Sequence, residues 1–438
     1  MNKFDGHDAV SRGEERWTRC WGVARQCMLG ITLTIACQSA LAQVMYRITP
    51  LGFLHGCSSP APVAEAINAA DQVTGWACNA TSYQHAFLWK NNGSPMIDLG
   101  PSEAGSDSVA YSINASGMVA GSAQDSMGTY GFTSSGAAMT KIADGLGGTF
   151  TYAYGLNDSG QVTGEAENGP PNEGTTDAFL WKHGSPMIDL GGYVATGMPE
   201  TYGLKVNASG QVAGGQYDGD RSTNTAIWLN DGSPAIYLNA GAGIGMGPIG
   251  ITSSAQVAGE FSISGYYHPH AYVWKNDGTG MHDLGTLHGG DLSEAWAQND
   301  SGQIVGASWV EYFRKERAFV WMNNGTPLKN LGTFGGTNSE AHDINASGLV
   351  TGWADISGDA AEHAFLWSTD GRRLQDLNTL IDPLDPLKPY VTLTSGDHIN
   401  VSGDIVATGT DSRTGKSDLY LLQGTVLTLA PRSLAFGN

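Results

Sequence analysis

Basic residues are scarce in this 438-residue chain: Lys and Arg number 22 against 42 Asp and Glu, for a formal net charge of −20. A phosphate backbone selects for the opposite sign, so nucleic acid is excluded as a partner, and so is an anionic membrane surface. No apolar run downstream of the first 42 residues is long enough to cross a bilayer as a helix, which takes about 20 residues. Nor does any stretch of ten or more residues carry a helical stripe, which removes the architectures built on long helices. Phosphate loops, H-E-x-x-H, nucleophile elbows and EF-hand loops are all missing. Cysteines are few, at five, and no Cys/His spacing makes a zinc site. The sequence therefore names no catalytic residue, no metal ligand and no cofactor.

Glycine is what the chain has in quantity, 61 residues, about twice the usual share, as a turn-dense all-β protein needs. Its distribution is periodic. The stretch from Glu340 to Leu377, EAHDINASGLVTGWADISGDAAEHAFLWSTDGRRLQDL, recurs from about residue 64 to about residue 422, with the opening turn residue at Asn68, Asn114, Asn157, Asn207, Thr252, Asn299, Asn345 and Asn400. A period of about 47 residues belongs to solenoids, propellers or arrays.

One copy holds four strand-length segments: Ala341 to Ile344, Leu349 to Trp353, the apolar HAFLW from His363 to Trp367, and Leu374 to Leu377. Each is bounded by turn formers, so the unit is four antiparallel strands. The N-A-S-G and N-D-S-G turns fix the first hairpin: Asn bonds its own backbone two residues on, and Gly accepts positive φ. Sites such as Asn345-Ala346-Ser347 also match a glycosylation acceptor, but a turn repeated in phase explains them without sugar. Four residues before the turn stand Ala64, Ala110, Ala153, Gly203, Pro248, Ala295, Ala341 and Gly396. Two before it, Ala66, Ser112, Gly155, Gly250 and Ala297 are small as well, and strand alternation predicts one shared face for both sets. Small residues belong where sheets crowd round an axis. The segment-three tryptophans, Trp89, Trp181, Trp228, Trp274, Trp321 and Trp367, then fill the wider outer wedge, each burying on the order of 200 Å2.

The expected fold is all-β, a closed β-propeller of four-stranded blades over residues 43–424. The direct count is eight blades, with seven as the alternative. YRITPLG from Tyr46 to Gly52 matches segment four ahead of any segment one, so the N-terminal strand can complete the last sheet and remove its exposed edges. Residues 1–42 read as a secretory signal: Arg12, Arg16, Arg19 and Arg25 precede an apolar core from Met28 to Ala36, with Ala40-Leu41-Ala42 as cleavage site. Three cysteines leave with it. Cys57 and Cys78 remain as a disulfide pair in a chain bound for an oxidising compartment. In the tail, 425–438, VLTLAPRSLAFGN from Val426 resembles the opening strand of the Ig-like ASPM-SPD-2-Hydin domain. The competing reading makes Val426 to Leu429 the last blade's fourth strand.

The repeat as a whole is similar to that of the HAF family of bacterial extracellular repeat proteins, named for its H-A-F triplet. The triplet stands at His85-Ala86-Phe87 and His363-Ala364-Phe365, with HAYVW at His270 to Trp274, RAFVW at Arg317 to Trp321 and DAFLW at Asp177 to Trp181; DLGTLHGG from Asp283 and NLGTFGG from Asn330 match the family's D-L-G-T-L-G-G element. Copy two departs, with Gly131-Phe132-Thr133 where the triplet belongs, and an irregular blade is expected there. The resemblance implies an exported protein without an established activity.

Repeated polar residues read as structural. His85, His270 and His363 fall on different blades, too far apart to share an ion, and Asp98, Asp189, Asp283 and Asp376 are expected to hydrogen-bond turn amides. The position three before the turn does vary, and if segment one is innermost its residues line the channel. Glu65, Tyr111, Tyr154, Trp296, His342 and Asp397 are accordingly the candidate ligand-binding residues, against plain inter-blade packing. The functional reading is a monomeric binding or structural scaffold for extracellular protein or glycan, secreted, periplasmic or at the bacterial cell surface. The alternative is a propeller enzyme, a glycoside hydrolase or lyase on polysaccharide, with carboxylates drawn from Glu65, Asp343 and Asp397.

Overall fold

In the computed structural model, which describes residues 44–426 apart from 55–59, 102, 104, 144, 170–174, 192–199, 218–222, 239–244, 265, 312–314 and 370–372, each repeat folds into one four-stranded antiparallel blade. The first strands are Val63–Ile67, Ser108–Ile113, Gly147–Leu156, Glu200–Val206, Gly245–Ile251, Leu292–Gln298, Gly335–Ile344 and Val391–Ile399, numbered here as blades 1 to 8. They are the innermost strands. Each contacts the next, and that of blade 8 contacts that of blade 1, so the eight blades form a ring. Blades 4 and 5 are additionally joined by one backbone pair, Thr223 with Gly245. The last glycine of each N-x-S-G turn has positive φ, from 74° at Gly302 to 87° at Gly403; where it is missing, Asp71 (58°) and Ala255 (62°) take the same conformation.

The innermost strand does not keep the expected alternation. In every blade it carries a β-bulge just before the turn: Ala341 pairs with Gly352 and Asp343 with Thr351, leaving His342 unpaired, and the same shift separates Ala64 from Ala66, Ala153 from Gly155 and Gly396 from His398. Because consecutive residues of the second strand point to opposite faces, the bulge sends the two small positions to opposite faces as well. The single shared face read from the sequence is therefore wrong; one inserted residue reverses the parity.

The bulge also explains a glycine in the second strand. A Cβ on Gly352 would sit 2.0 Å from the carbonyl oxygen of Glu340, on Gly306 1.9 Å from that of Glu294, and on Gly164 1.8 Å from that of Tyr152. The bulged strand presses its carbonyl into the space a side chain would occupy.

Eight apolar clusters fill the eight gaps between blades. Trp321 packs with Ala258, Ala271 and Val273 of the preceding blade, Trp367 with Val305, Ala318 and Val320, and Trp89 with Val406, Leu419 and Leu421 across the closing gap. All six tryptophans are buried, in the outer wedge as expected, and the aromatic of the triplet is buried too. Blade 2 corrects the expectation of irregularity. Its four strands are regular and Phe132 is fully buried, because Gly131 keeps the backbone contact that matters, its amide donating to Thr151 Oγ1 of blade 3 at 2.6 Å. The triplet alanines make the same bond to the next blade, Ala86 to Ser108 (2.9 Å) and Ala318 to Ser339 (3.0 Å).

Blade 8 closes the ring with the N-terminal strand. Val44–Pro50 pairs antiparallel with Lys416–Val426, from Val44 opposite Val426 to Pro50 opposite Tyr420, so the fourth strand comes from the start of the chain rather than from Val426 onward. The longest interval between repeats, from Asn345 to Asn400, supplies a cover for this outer edge. Its helix Leu377–Leu380 and Ile381 bury against Tyr46 and Ile48, while Asp382 N donates to Tyr46 O (2.8 Å) and Ile48 N to Asp385 Oδ2 (3.0 Å). An edge strand that would otherwise offer free backbone groups is thereby occupied. The expected signal, residues 1–42, and the tail beyond Val426 lie outside the described residues.

Candidate functional site

The turn asparagines form a belt round one end of the channel. Each Oδ1 accepts the amide four residues on and, in all but Asn299, the amide two residues on, as Asn345 does from Ser347 and Leu349, both at 3.0 Å. Each Nδ2 then reaches the next blade, donating to the backbone oxygen of its turn residue: Asn68 to Asn114 (3.0 Å), Asn114 to Asn157 (3.2 Å), Asn157 to Asn207 (2.8 Å), Asn207 to Thr252 (2.8 Å), Asn299 to Asn345 (2.9 Å), Asn345 to Asn400 (2.9 Å) and Asn400 to Asn68 (3.2 Å). Thr252 has no amide to give. There Ser253 bonds to Asp300 through its N (2.7 Å) and Oγ (2.8 Å), and Gln256 Nε2 to Gly302 O (3.0 Å). The asparagine side chains are buried and spent on the fold.

The repeated His and Asp are spent likewise. His85 Nδ1 meets Asp98 Oδ1 at 2.8 Å, His270 meets Asp283 at 3.0 Å and His363 meets Asp376 at 2.8 Å, tying the third strand to the fourth within a blade. The same carboxylates accept turn amides, Gly100 on Asp98 and Gly285 on Asp283, both at 2.7 Å. Burial opposes ionisation of Asp98, but the His85 bond and the Gly100 amide outweigh it and hold the carboxyl below its ordinary value. The turn-amide role was expected; the histidine partner was not.

The unrepeated residues of the innermost strands behave differently. On blades 1 to 3, Glu65, Tyr111 and Tyr154 come together. Tyr111 and Tyr154 rings lie 5.4 Å apart, tilted by 58°; Tyr152 stacks on Tyr154 at 5.8 Å and 10°; and Tyr154 Oη donates to Glu165 Oε1 at 2.7 Å. Burial, then the fields of Glu65, Tyr152 and Glu165, push the Tyr111 phenol up. Burial likewise raises Glu65 and Glu165, against the pull of His398 on the first and the Tyr154 bond on the second.

On blades 7 and 8, His342 lies 3.6 Å from Glu340 and 3.3 Å from Ser395 Oγ, and Asp397 accepts from Thr408 Oγ1 at 2.7 Å. Trp296 of blade 6 stands apart, 49% exposed. The six candidates thus divide into one convergent group, one adjacent pair and one isolated ring.

Two residues absent from that candidate set belong to the wall. His398 spans three blades, its Nε2 at 3.2 Å from the Ala64 oxygen and its Nδ1 at 3.8 Å from Asp343 Oδ2. Burial works to lower its pKa, but Asp343, then Asp397, carry it above the ordinary value. Lys205 of blade 4 is exposed yet walled by protein, which lowers its pKa, while Glu65 and Asp343 of blades 1 and 7 pull the other way. Both lie two residues before the turn, the position that the bulge turns from the small-residue face to the channel. Asp343 itself is engaged by the amides of Ile344 (2.8 Å) and Ile399 (2.9 Å).

An acidic arc continues on blades 5 to 7. Burial first and Glu294 second push Glu260 up to about 8, and burial, Glu340 and Glu294 push Glu316 up to about 7. Two cavities elsewhere, of about 480 Å3 beside Lys275, His282 and Trp321 and about 380 Å3 beside Phe53, Arg413 and Tyr420, include none of the channel residues. Among the described residues no group of His, Cys, Asp and Glu is arranged to hold a metal ion, and no helix is long and apolar enough to cross a membrane. Cys78 is disulfide-bonded, and Cys57 lies outside the described residues.

No family model and no curated protein sequence matches the chain. Solved structures similar to it include a prolyl endopeptidase, at 9% identity and a TM-score of 0.47 over 87% of this chain and 50% of that one. A puromycin-hydrolysing peptidase of Mycobacterium tuberculosis is similar at 12% identity and a TM-score of 0.47, covering 84% and 62%. The β-propeller domain of the Trilobed protease from Pyrococcus furiosus is similar at 12% identity and a TM-score of 0.44, covering 76% and 98%. The chain spans half to under two thirds of the length of the two peptidases, and the likeness is one of fold.

Proposed function

We propose that this chain is a non-catalytic binding propeller that recognises protein or glycan at its channel wall, and that it is exported, the one part of the reading that the resemblance to HAF repeat proteins implies. One observation carries the reading: the polar groups that repeat are consumed by hydrogen bonds within and between blades, whereas three of those that do not repeat, Glu65, Tyr111 and Tyr154, come together on the innermost strands of blades 1 to 3. A fixed scaffold with a variable inner surface is how recognition is added to a fold. Two of the three carboxylates considered for hydrolysis, Asp343 and Asp397, are occupied by structural donors, which favours binding over hydrolysis. Export would account for the leader-like first 42 residues and for a disulfide at Cys78, which persists in an oxidising compartment.

A glycan array and a pull-down of extracellular proteins with wild type and Y154A test the reading. Retention by wild type and loss by Y154A supports it; depolymerisation of a polysaccharide by the purified protein overturns it. Peptide mapping of the exported protein should begin at Gln43 and return a Cys57–Cys78 linked pair.

A further inference from the structure

The corner made by Tyr111, Tyr152, Tyr154, Glu65 and Glu165 has a definite electrostatic character. Two ring planes meet at 58° with centroids 5.4 Å apart, a third ring backs the central one at 5.8 Å, and the central phenol is fixed by its bond to Glu165. All five residues are half-buried, so none is sealed from solvent. The π faces and the two carboxylates are negative together, an arrangement that attracts a cation placed against the rings. The charges facing the corner are Glu65, Glu165 and Glu200 on the acidic side, with His398 and Lys205 opposing them at Glu65. Among the described residues no basic group contacts the rings or offsets Glu165.

We infer that this corner binds an organic cation, an ammonium or guanidinium group presented by a basic ligand, with the rings enclosing the charge and Glu165 and Glu65 neutralising it. The inference rests on the reading of the protein as a binding propeller and names what its channel wall selects. A neutral sugar would use the same rings for its C–H faces but has no need of two ionised carboxylates, so the ligand classes separate by charge.

The test is isothermal titration of the mature protein with spermidine, with argininamide and with the neutral oligosaccharide cellohexaose, at about 20 and 300 mM salt. Binding of the two cations is expected, weakened at least about tenfold by E165Q and by Y154A, several-fold by E65Q, and weakened by salt. D231N, which removes a carboxylate at an exposed turn, should leave it unaltered and so exclude general attraction to an acidic protein. E165Q preserves shape and hydrogen-bonding capacity, so it remains decisive if Y154A folds poorly. Cellohexaose binding without cation binding overturns the inference and leaves the binding reading standing. Binding of neither overturns the inference and counts against the broader reading, and equal cation affinity in wild type and E165Q overturns the site assignment.

Discussion

The side-chain amide of Asn400 donates to the backbone oxygen of Asn68 at 3.2 Å, joining residues 332 apart in sequence and completing the asparagine belt. Asn400 also bonds to Asp71 at 2.8 Å and accepts from Ser402 and Asp404 at 3.0 Å each. N400A removes all of these and strands buried donors, so it should cost about 2–4 kcal/mol of unfolding free energy in urea titration. T252N is the converse, supplying the amide that blade 5 lacks, and should raise stability by about 0.5–1.5 kcal/mol. A destabilising T252N would show that Ser253 and Gln256 already satisfy that seam.

Gly352 and Gly409 are both second-strand glycines facing a bulged innermost strand, but at different repeat positions and in unequal space. An added Cβ would lie 2.0 Å from Glu340 O in the first case and 2.9 Å from Thr392 O in the second. G352A should lose more than about 3 kcal/mol and G409A about 1–2 kcal/mol, by the cost of forcing backbone apart in a packed sheet. Equal losses in thermal unfolding would refute the carbonyl contact as the cause.

Stability should fall as pH rises from about 5 to 8. Glu260 moves from 4.5 to about 8 and Glu316 from 4.5 to about 7, burial being the main cause in both, and His398 is raised as well. A folded-state pKa above the unfolded value means that the folded chain holds the extra proton. The stabilisation is complete below the unfolded pKa and is lost as pH climbs through the folded one. The Glu260 shift sets an upper bound of about 5 kcal/mol on its own share. Tm should therefore be higher at pH 5 than at pH 8, and E260Q should flatten the slope by raising Tm at pH 8.

The cover over the closing strand is separable from the blades. D385A removes the acceptor of Ile48 N and of Leu387 N and should cost about 1–3 kcal/mol. L377A opens a void beside Tyr46 and Ile48 and should cost about 2–4 kcal/mol. Both variants should speed hydrogen exchange in 44–50 ahead of the other blades; uniform acceleration round the ring would mean that the last blade is not a local unit.

Much of this architecture is legible in the chain, because the Asn turn, the triplet and the tryptophan recur in phase and each has one chemical task. The turn chemistry sets the hairpins, the copy count sets the blades, and the unmatched N-terminal strand announces the closure. The bulge is not legible. Its marker is only an odd residue in a five- to ten-residue strand, and simple alternation places Ala64 and Ala66 on one face until backbone pairing is seen. That parity error hid Lys205 and His398, which sit among glycines and alanines in the alignment. A polar residue at a position that is otherwise small was the available signal. The Ser and Thr hydroxyls that receive the triplet amides were hidden for another reason, since they lie six residues before the turn and act on the neighbouring blade.

The pairing of Val44–Pro50 with Lys416–Val426 fixes an order of events as well as a shape. Among the described residues the one strand that forms a ladder with Val44–Pro50 is Lys416–Val426, so this segment cannot complete its blade until that late strand is present, even though the cover around Leu377–Asp385 is made earlier. Ring closure then waits on the last described strand, and a chain lacking residues from 416 onward has nothing to complete the ladder with Val44–Pro50.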